Sequence, residues 1–218
     1  MSNQLHQTVV ETDVDNDFEK QINVSCLEYL LMELGPLALR ITDKLEKYSS
    51  SSTRESNGSG NGNDNKQVDD FHYGGVELFQ NESLVSNEIN NQMLDNFGFQ
   101  IGKILIEQLI FLKNDGISTK MDEILDIMKI IARDVWKMIY QKQIDNLRTN
   151  HRGTFVLIDN SHRLISSMYG PDKHRISGLY LNFSCGVIKG VLNQSAFKAN
   201  VEADLKSDGS VHYTIVVI

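Results

Sequence analysis

The chain has 218 residues, 40% apolar and 23% charged, the makeup of one globular domain with a real core. Its 21 Lys and Arg against 29 Asp and Glu leave a net charge of −8, which argues against non-specific binding to nucleic acid or to an anionic membrane. Two cysteines, Cys26 and Cys185, are too few for a disulfide framework and lie among apolar neighbours, so both are expected as reduced core thiols.

The first residues are polar and acidic, unlike a secretory or transit peptide, and residues 1–17 read as a disordered acidic arm. No apolar run reaches the length of a spanning helix, and Ser2 offers no myristoylation site, so any membrane role is expected to be peripheral. From Phe18 a stripe runs through Ile22, Cys26, Leu30, Leu34, Leu37, Ile41, Leu45 and Tyr48 in steps of three and four, one face of a first helix. Gly35-Pro36 predicts a kink or two abutting helices there. Thirteen of the residues from 49 to 65 are Ser, Gly or Asn, so a disordered insertion is expected at about 49–83 inside a single domain spanning 18–218.

A second helix is signalled by Ile89, Met93, Phe97, Ile101, Leu105, Leu109 and Leu112. Gly98 and Gly102 lie four apart on it, which predicts the close approach of another helix. The third helix follows cap hydroxyls at Ser118 and Thr119, with Asp122 and Glu123 in its first turn. Its stripe is Met121, Ile124, Leu125, Met128, Ile131, Ala132, Val135 and Ile139, extending through Ile144 and Leu147. The period then changes. Thr154 to Ile158 reads as a strand ending in the turn pair Asp159-Asn160, with Arg163 to Met168 as the returning strand. Ser184 to Phe197 is the fourth helix, with Gly186 and Gly190 again four apart. A hairpin closes the chain, Asn200 to Leu205 and Val211 to Ile218 around Ser207-Asp208-Gly209-Ser210. Such segregated elements predict an α+β fold, four helices packed on a four-stranded antiparallel sheet.

No chemistry-bearing constellation emerges. The six histidines form no HExxH and, with the cysteines, no zinc spacing; CxxC and GxSxG are absent. Gly98-Phe99-Gln100-Ile101-Gly102 matches neither a phosphate loop nor a dinucleotide fingerprint. The polar run from Gln141 to Gly153 holds Lys142, Arg148 and Arg152 without interleaved aromatics, and reads as a helix end plus a connection rather than a nucleic-acid surface. No catalytic residue, metal or cofactor is expected.

Three stretches carry a resemblance. Arg133-Asp134-Val135-Trp136-Lys137 followed by Gln141 to Leu157 resembles the signature of the TRAPP (transport protein particle) small subunits, in the component-six branch, the counterpart of yeast's thirty-three-kilodalton subunit. Asn96 to Gly102 is similar to the family's Gly-aromatic-x-x-Gly helix, and Cys185 to Leu192 to its Cys-Gly-x-x-basic-Gly helix. The resemblance implies the same α+β fold. It implies a non-catalytic structural subunit of a Rab guanine-nucleotide exchange and vesicle-tethering complex, in endoplasmic reticulum to Golgi transport and autophagy. The place implied is the cytoplasm, peripheral at cis-Golgi and endoplasmic reticulum membranes, with the membrane and a Rab GTPase met only through the complex. The partners implied are other TRAPP small subunits, in a heterodimer with an acylated paralogue. That paralogue's acyl-carrying Cys lies between its second and third helices, and here Phe111 to Met121 holds no Cys. An alternative is a small-ligand sensor domain of the same fold, which would line a pocket with metal-binding Cys or His.

The first helix has apolar residues off its main stripe, Val24, Leu27, Leu31 and Leu39, and a helix apolar over much of its circumference must bury a second face. The expected partner interface is Leu27, Leu30, Leu31, Leu34, Phe97, Ile101, Gly102 and Leu105. The signature residues Trp136, Asp145, Arg148, Asn150, Gly153, Cys185, Gly186 and Gly190 are expected to be structural. Trp136 should be buried with an acceptor for its indole N–H, and Arg148 hydrogen-bonded within the fold or across the dimer.

Overall fold

The computed structural model of the protein describes residues 24–52, 88–112, 123–150, 152–168, 170 and 173–218. The acidic arm, most of the Ser/Gly/Asn insertion, the cap hydroxyls at Ser118 and Thr119, Met121 and Asp122 lie outside the described residues.

Helix α1 is Val24–Ser52, running four residues into the expected insertion, and it continues through Pro36 as one helix. Proline has no N–H to give the carbonyl four residues back, Met32. The Tyr180 hydroxyl donates to that carbonyl at 2.7 Å, and Gly35 leaves room for the Tyr180 ring. The buried side of α1 is Leu31, Leu34, Ala38, Leu39 and Thr42, while Leu30, Leu37, Ile41 and Leu45 face solvent. The main sequence stripe is therefore largely the outer face, and the off-stripe Leu31 and Leu39 belong to the core.

Helix α2 (Glu88–Leu112) is joined to α1 by a buried hydrogen bond from Thr42 Oγ1 to Asn90 Oδ1. Helix α3 is a rod of Ile124–Ile130, a π-helical turn Ile131–Val135 and Trp136–Tyr140. It ends at Gln141, whose φ of 58° is a left-handed cap, with Gln141 N–H bonded to the Lys137 carbonyl. The expected extension through Ile144 and Leu147 fails because the chain turns back. Ile144 N–H bonds to the Ala132 carbonyl (2.8 Å), and Leu147 lies in a strand.

The strands are β1 (Asn146–Thr149), β2 (Thr154–Asp159), β3 (Ala199–Leu205) and β4 (Val211–Val217), all antiparallel in the order β1-β2-β4-β3. Between β2 and β3 come a single-turn helix α4 (Arg163–Ser166) and the long α5 (Lys173–Gln194). The expected strand at 163–168 is thus a helix. Its Leu164-Ile165 pair is buried, and its backbone bonds return locally, Ser166 N–H to the His162 carbonyl at 2.8 Å. The hairpin partner of β2 is the strand before it, β1. The fold is α+β with a four-stranded antiparallel sheet, as expected, but with five helices among the described residues.

Helix α5 is buried around most of its circumference and lies between α2 and the sheet. Its contact with α2 explains the four glycines. A Cβ at Gly98 would strike the Phe183 carbonyl, at Gly102 that of Val187, at Gly186 that of Asp95, and at Gly190 that of Phe99. Each helix thus presses its glycines onto the other's backbone, and the axes close to a distance that no side chain permits. Lys189 and Asp95 (2.7 Å) and the amides of Asn182 and Asn91 (2.8 Å) bridge the rim. On the other side of α5, Phe155, Leu157, Tyr213, Ile215 and Val201 fill the core.

Candidate protein-interaction surface

Two helices present apolar side chains to solvent. On α2, Phe97 is 46% exposed, Ile104 57% and Phe111 74%, interleaved with exposed Gln92, Asn96, Gln100 and Gln108. Those positions carry no charge. On α1, Leu30 is 63% exposed, with Tyr29, Leu37, Ile41 and Leu45 also outward. Solvent faces of helices ordinarily carry Lys and Glu. Apolar and amide faces of this kind mark surfaces that another protein covers, because charge depletion at the centre is what distinguishes an interface from ordinary surface.

The candidate interface residues divide. Leu30 and Phe97 are on these outer faces, and Leu27, Ile101 and Leu105 are half-buried. Leu31 and Leu34 are buried in the chain's own core, and Gly102 is closed against Val187. Sequence reasoning assigned Leu37, Ile41 and Leu45 to the inner stripe and passed over Tyr29, Ile104 and Phe111. The uncharged Gln/Asn run at four-residue spacing on α2 was the signal that could have found its outer face.

The signature residues do a different job. Trp136 is fully buried and donates its indole N–H to Asp159 Oδ2 at 3.0 Å, with Tyr140 and Tyr213 rings packed on it. Asp159 is itself buried. Its other oxygen takes Lys142 Nζ (2.5 Å) and the Ser161 N–H (3.1 Å). Lys142 also reaches Asp145 (3.0 Å), which accepts the Asn160 N–H (2.7 Å). A buried carboxylate is tolerable only when so many donors converge on it. Burial alone would lower the Lys142 pKa. The hydrogen bonds and charges of Asp159 and Asp145 outweigh it and hold the ammonium above the usual lysine range. For Asp145, burial raises and the Asn160 amide and Lys142 lower, leaving the carboxyl below its usual range.

Asn150 closes the β1–β2 turn by accepting the N–H groups of Arg152 (2.9 Å) and Thr154 (3.0 Å), and Gly153 supplies the left-handed φ of 84°. His151 lies outside the described residues. Of the two placements expected for Arg148, a hydrogen bond within the fold is not made among the described residues. The residue is exposed on the sheet's edge strand, and its guanidinium has no hydrogen bond or ion pair with the described residues.

Below the node, His162 is buried against Trp136 and Tyr140, with Ser184 Oγ 3.5 Å from its Nε2. Burial, partly opposed by Asp159, pushes its pKa down to about 4. Ser184 is fully buried and hydrogen-bonds Tyr140 (2.5 Å) and the Tyr180 carbonyl (3.2 Å), so it is a core hydroxyl with no access to substrate. Cys185 is buried, and desolvation lifts its thiol to about 12, the opposite of an activated nucleophile. Cys26 is exposed rather than in the core. Among the described residues no group of three His, Cys, Asp or Glu could hold a metal ion, and no helix is long and apolar enough to cross a membrane.

The family model described as Transport protein particle (TRAPP) component matches residues 27–218. Trafficking protein particle complex subunit 6B of Homo sapiens is 38% identical over 125 residues, 57% of this chain and 76% of its own length. Subunit 6A of Mus musculus is 35% identical over 126 residues, again 57% and 76%. An uncharacterised protein of Schizosaccharomyces pombe is 28% identical over 193 residues, 87% of this chain and 62% of that protein. In fold, the chain is similar to the crystal structure of a trafficking protein particle complex subunit 3 from Naegleria fowleri covalently bound to palmitic acid. The TM-score is 0.56 at 17% identity, covering 90% of this chain and 97% of that one. These matches agree: the chain belongs to the TRAPP family of transport protein particle components, in the component-six branch.

Proposed function

We propose that the protein is a non-catalytic subunit of a TRAPP complex that pairs through the outer faces of α1 and α2 with another TRAPP small subunit, the acylated paralogue. The complex so built acts as a Rab guanine-nucleotide exchange and tethering factor between the endoplasmic reticulum and the Golgi, where the chain sits peripherally. The observation that carries this reading is the apolar, charge-poor outer face of α2, interrupted by exposed Glu107, beside that of α1. Covering both would bury on the order of 1,500 Å² in total, a stable interface of standard size.

The test is co-purification of the paralogue with the full chain. Leu31→Asp would confound binding with misfolding, because Leu31 is in the core. Leu30→Asp with Ile104→Asp changes only outward positions. The pair of substitutions should leave the thermal melt in place and remove the partner, and the chain alone should not accelerate nucleotide release from a Rab. A double variant that still co-purifies the paralogue in full would falsify the assignment of these faces.

A further inference from the structure

Strand β3 forms one margin of the sheet, and half of its backbone has no partner among the described residues. The bonds from Lys206 N–H to the Ser210 carbonyl (2.8 Å) and from Ile218 N–H to the Lys198 carbonyl (2.9 Å) fix the phase of the terminal hairpin. Asn200, Glu202 and Asp204 therefore turn their amides and carbonyls toward β4. Ala199, Val201, Ala203 and Leu205 turn theirs outward, where no backbone partner meets them among the described residues. Sheet margins are ordinarily blunted by a proline, a bulge or charged side chains. This one has an unbroken register with no proline or bulge, and the charges it carries, Glu202 and Asp204, are both acidic.

A groove of about 590 Å³ runs beside that margin, lined by the apolar Cys185 and Val201 and by the polar Asn91, Asp95, Asn182 and Lys189, with Gly178 of α5 at its edge. Gly178 differs from the other described helix glycines. A Cβ there would meet nothing within 4 Å, so no internal contact requires glycine at this poor helix-forming position. What its missing side chain does is keep the groove open. The charges are equally informative. Lys189 and Asp95 neutralise one another, Arg175 already has a partner, and Asp204 pairs with Lys206. Glu202 stands exposed beside the groove with no ion pair to any described residue.

We propose that the open margin of β3 and its groove take an extended peptide segment of another protein as an added strand, with apolar residues toward the groove and a Lys or Arg beside Glu202. Strand addition supplies main-chain hydrogen bonds for affinity and alternate side-chain positions for selectivity. A second copy of this chain fits poorly. Antiparallel pairing of β3 with itself sets Glu202 and Asp204 against the same acids of the other copy, and like charges opposite one another are destabilising. The surface is separate from the outer faces of α1 and α2, so this inference stands or falls independently of the proposed pairing.

The full chain is titrated with a labelled seven-residue peptide alternating Val and Lys, matched to the length of β3, and with its Val–Glu counterpart. Amide hydrogen exchange at Val201 and Ala203 is followed in parallel. The Val–Lys peptide should bind about tenfold tighter or more, and should slow exchange at both amides. Ala203→Pro removes an outward N–H that β4 does not use, and Gly178→Phe fills the groove; each should weaken binding about tenfold with the melting temperature unchanged. Equal affinity for the two peptides, unprotected amides, or full binding by both variants would overturn the proposal. So would self-association that Ala203→Pro abolishes, which would assign the margin to a second copy. If a variant does not fold, exchange in the unsubstituted chain decides the question.

Discussion

The two sides of α2 solve opposite problems with the same residue economy. Toward α5, Gly98 and Gly102 bring backbone onto backbone, and a single methyl group has no room. Away from α5, Phe97, Ile104 and Phe111 project into solvent between uncharged amides. One side is complete within the chain; the other is complete only when something covers it. A helix with both sides apolar gives a weak sequence periodicity, so what separates inside from outside is residue size rather than polarity.

The sharpest way to break that contrast is Gly98→Leu. It drives a side chain into the Phe183 carbonyl, where neither backbone can yield cheaply. Overpacking costs about 1–3 kcal/mol in an ordinary core, and here the obstacle is main chain, so loss of the folded state is expected. Circular dichroism and a thermal melt read it directly, and a stable Gly98→Leu chain would show that the helices are not locked.

Two isoleucines one residue apart from a shared neighbour sharpen the comparison. Ile106 is fully buried and Ile104 is not. Ile106→Ala should cost about 2–5 kcal/mol in denaturant unfolding. Ile104→Ala should stay within about 0.5 kcal/mol in the same measurement while weakening partner binding. Equal stability losses would erase the distinction between the sides.

The buried His162 extends the contrast to pH. Its folded pKa of about 4 lies below the ordinary 6.5, so between those values the unfolded chain binds a proton that the folded chain refuses. Stability is then full above about pH 6.5 and falls as pH drops toward 4, by roughly 3 kcal/mol in all. Denaturant melts at pH 7, 5.5 and 4.5 check the slope, and His162→Gln should flatten it.

The smallest effect concerns Tyr180. Tyr180→Phe leaves the ring against Gly35 but removes the donor to the Met32 carbonyl beside Pro36. A loss of about 1 kcal/mol is expected, with hydrogen exchange accelerating around residues 32–36 before the rest of α1.

How much of this was legible in the sequence follows from period and length. The four-residue glycine spacing on α2 and α5 announced their contact, because glycine is costly in a helix and only close packing compensates. The terminal hairpin and β2 were legible from β-branched runs with flanking turn residues. Strand β1 was not. Asn146-Leu147-Arg148-Thr149 contributes one apolar residue, and Leu147 stands three residues after Ile144, a helical step, so helix and strand readings fit alike. A one-turn helix at Arg163–Ser166 likewise carries too few residues to show a period of its own. On α1 two stripes at helical spacing compete, and choosing between them needs the position of Tyr180 and α2, which no local pattern holds. The hub at Asp159 read as a turn residue, since nothing local distinguishes a carboxylate that faces water from one that Trp136 and Lys142 reach from 23 and 17 positions away.

The π-helical turn at Ile131–Val135 has a consequence for how this segment tolerates change in length. Such a turn holds one residue more than an α-helical turn, and so rotates everything after it by about 100°. That rotation carries the phase of Ile127, Met128 and Ile131 over to Trp136, Ile139 and Tyr140, keeping both halves of the rod against one core. Deleting a single residue within this turn would restore an uninterrupted α-helix and leave Trp136, Ile139 and Tyr140 on the same face, because the π-turn already absorbs that one residue. The rod thus has one residue to spare at this turn and none to add, and a one-residue insertion between Met128 and Trp136 would swing the indole away from Asp159 and do more harm than a deletion there.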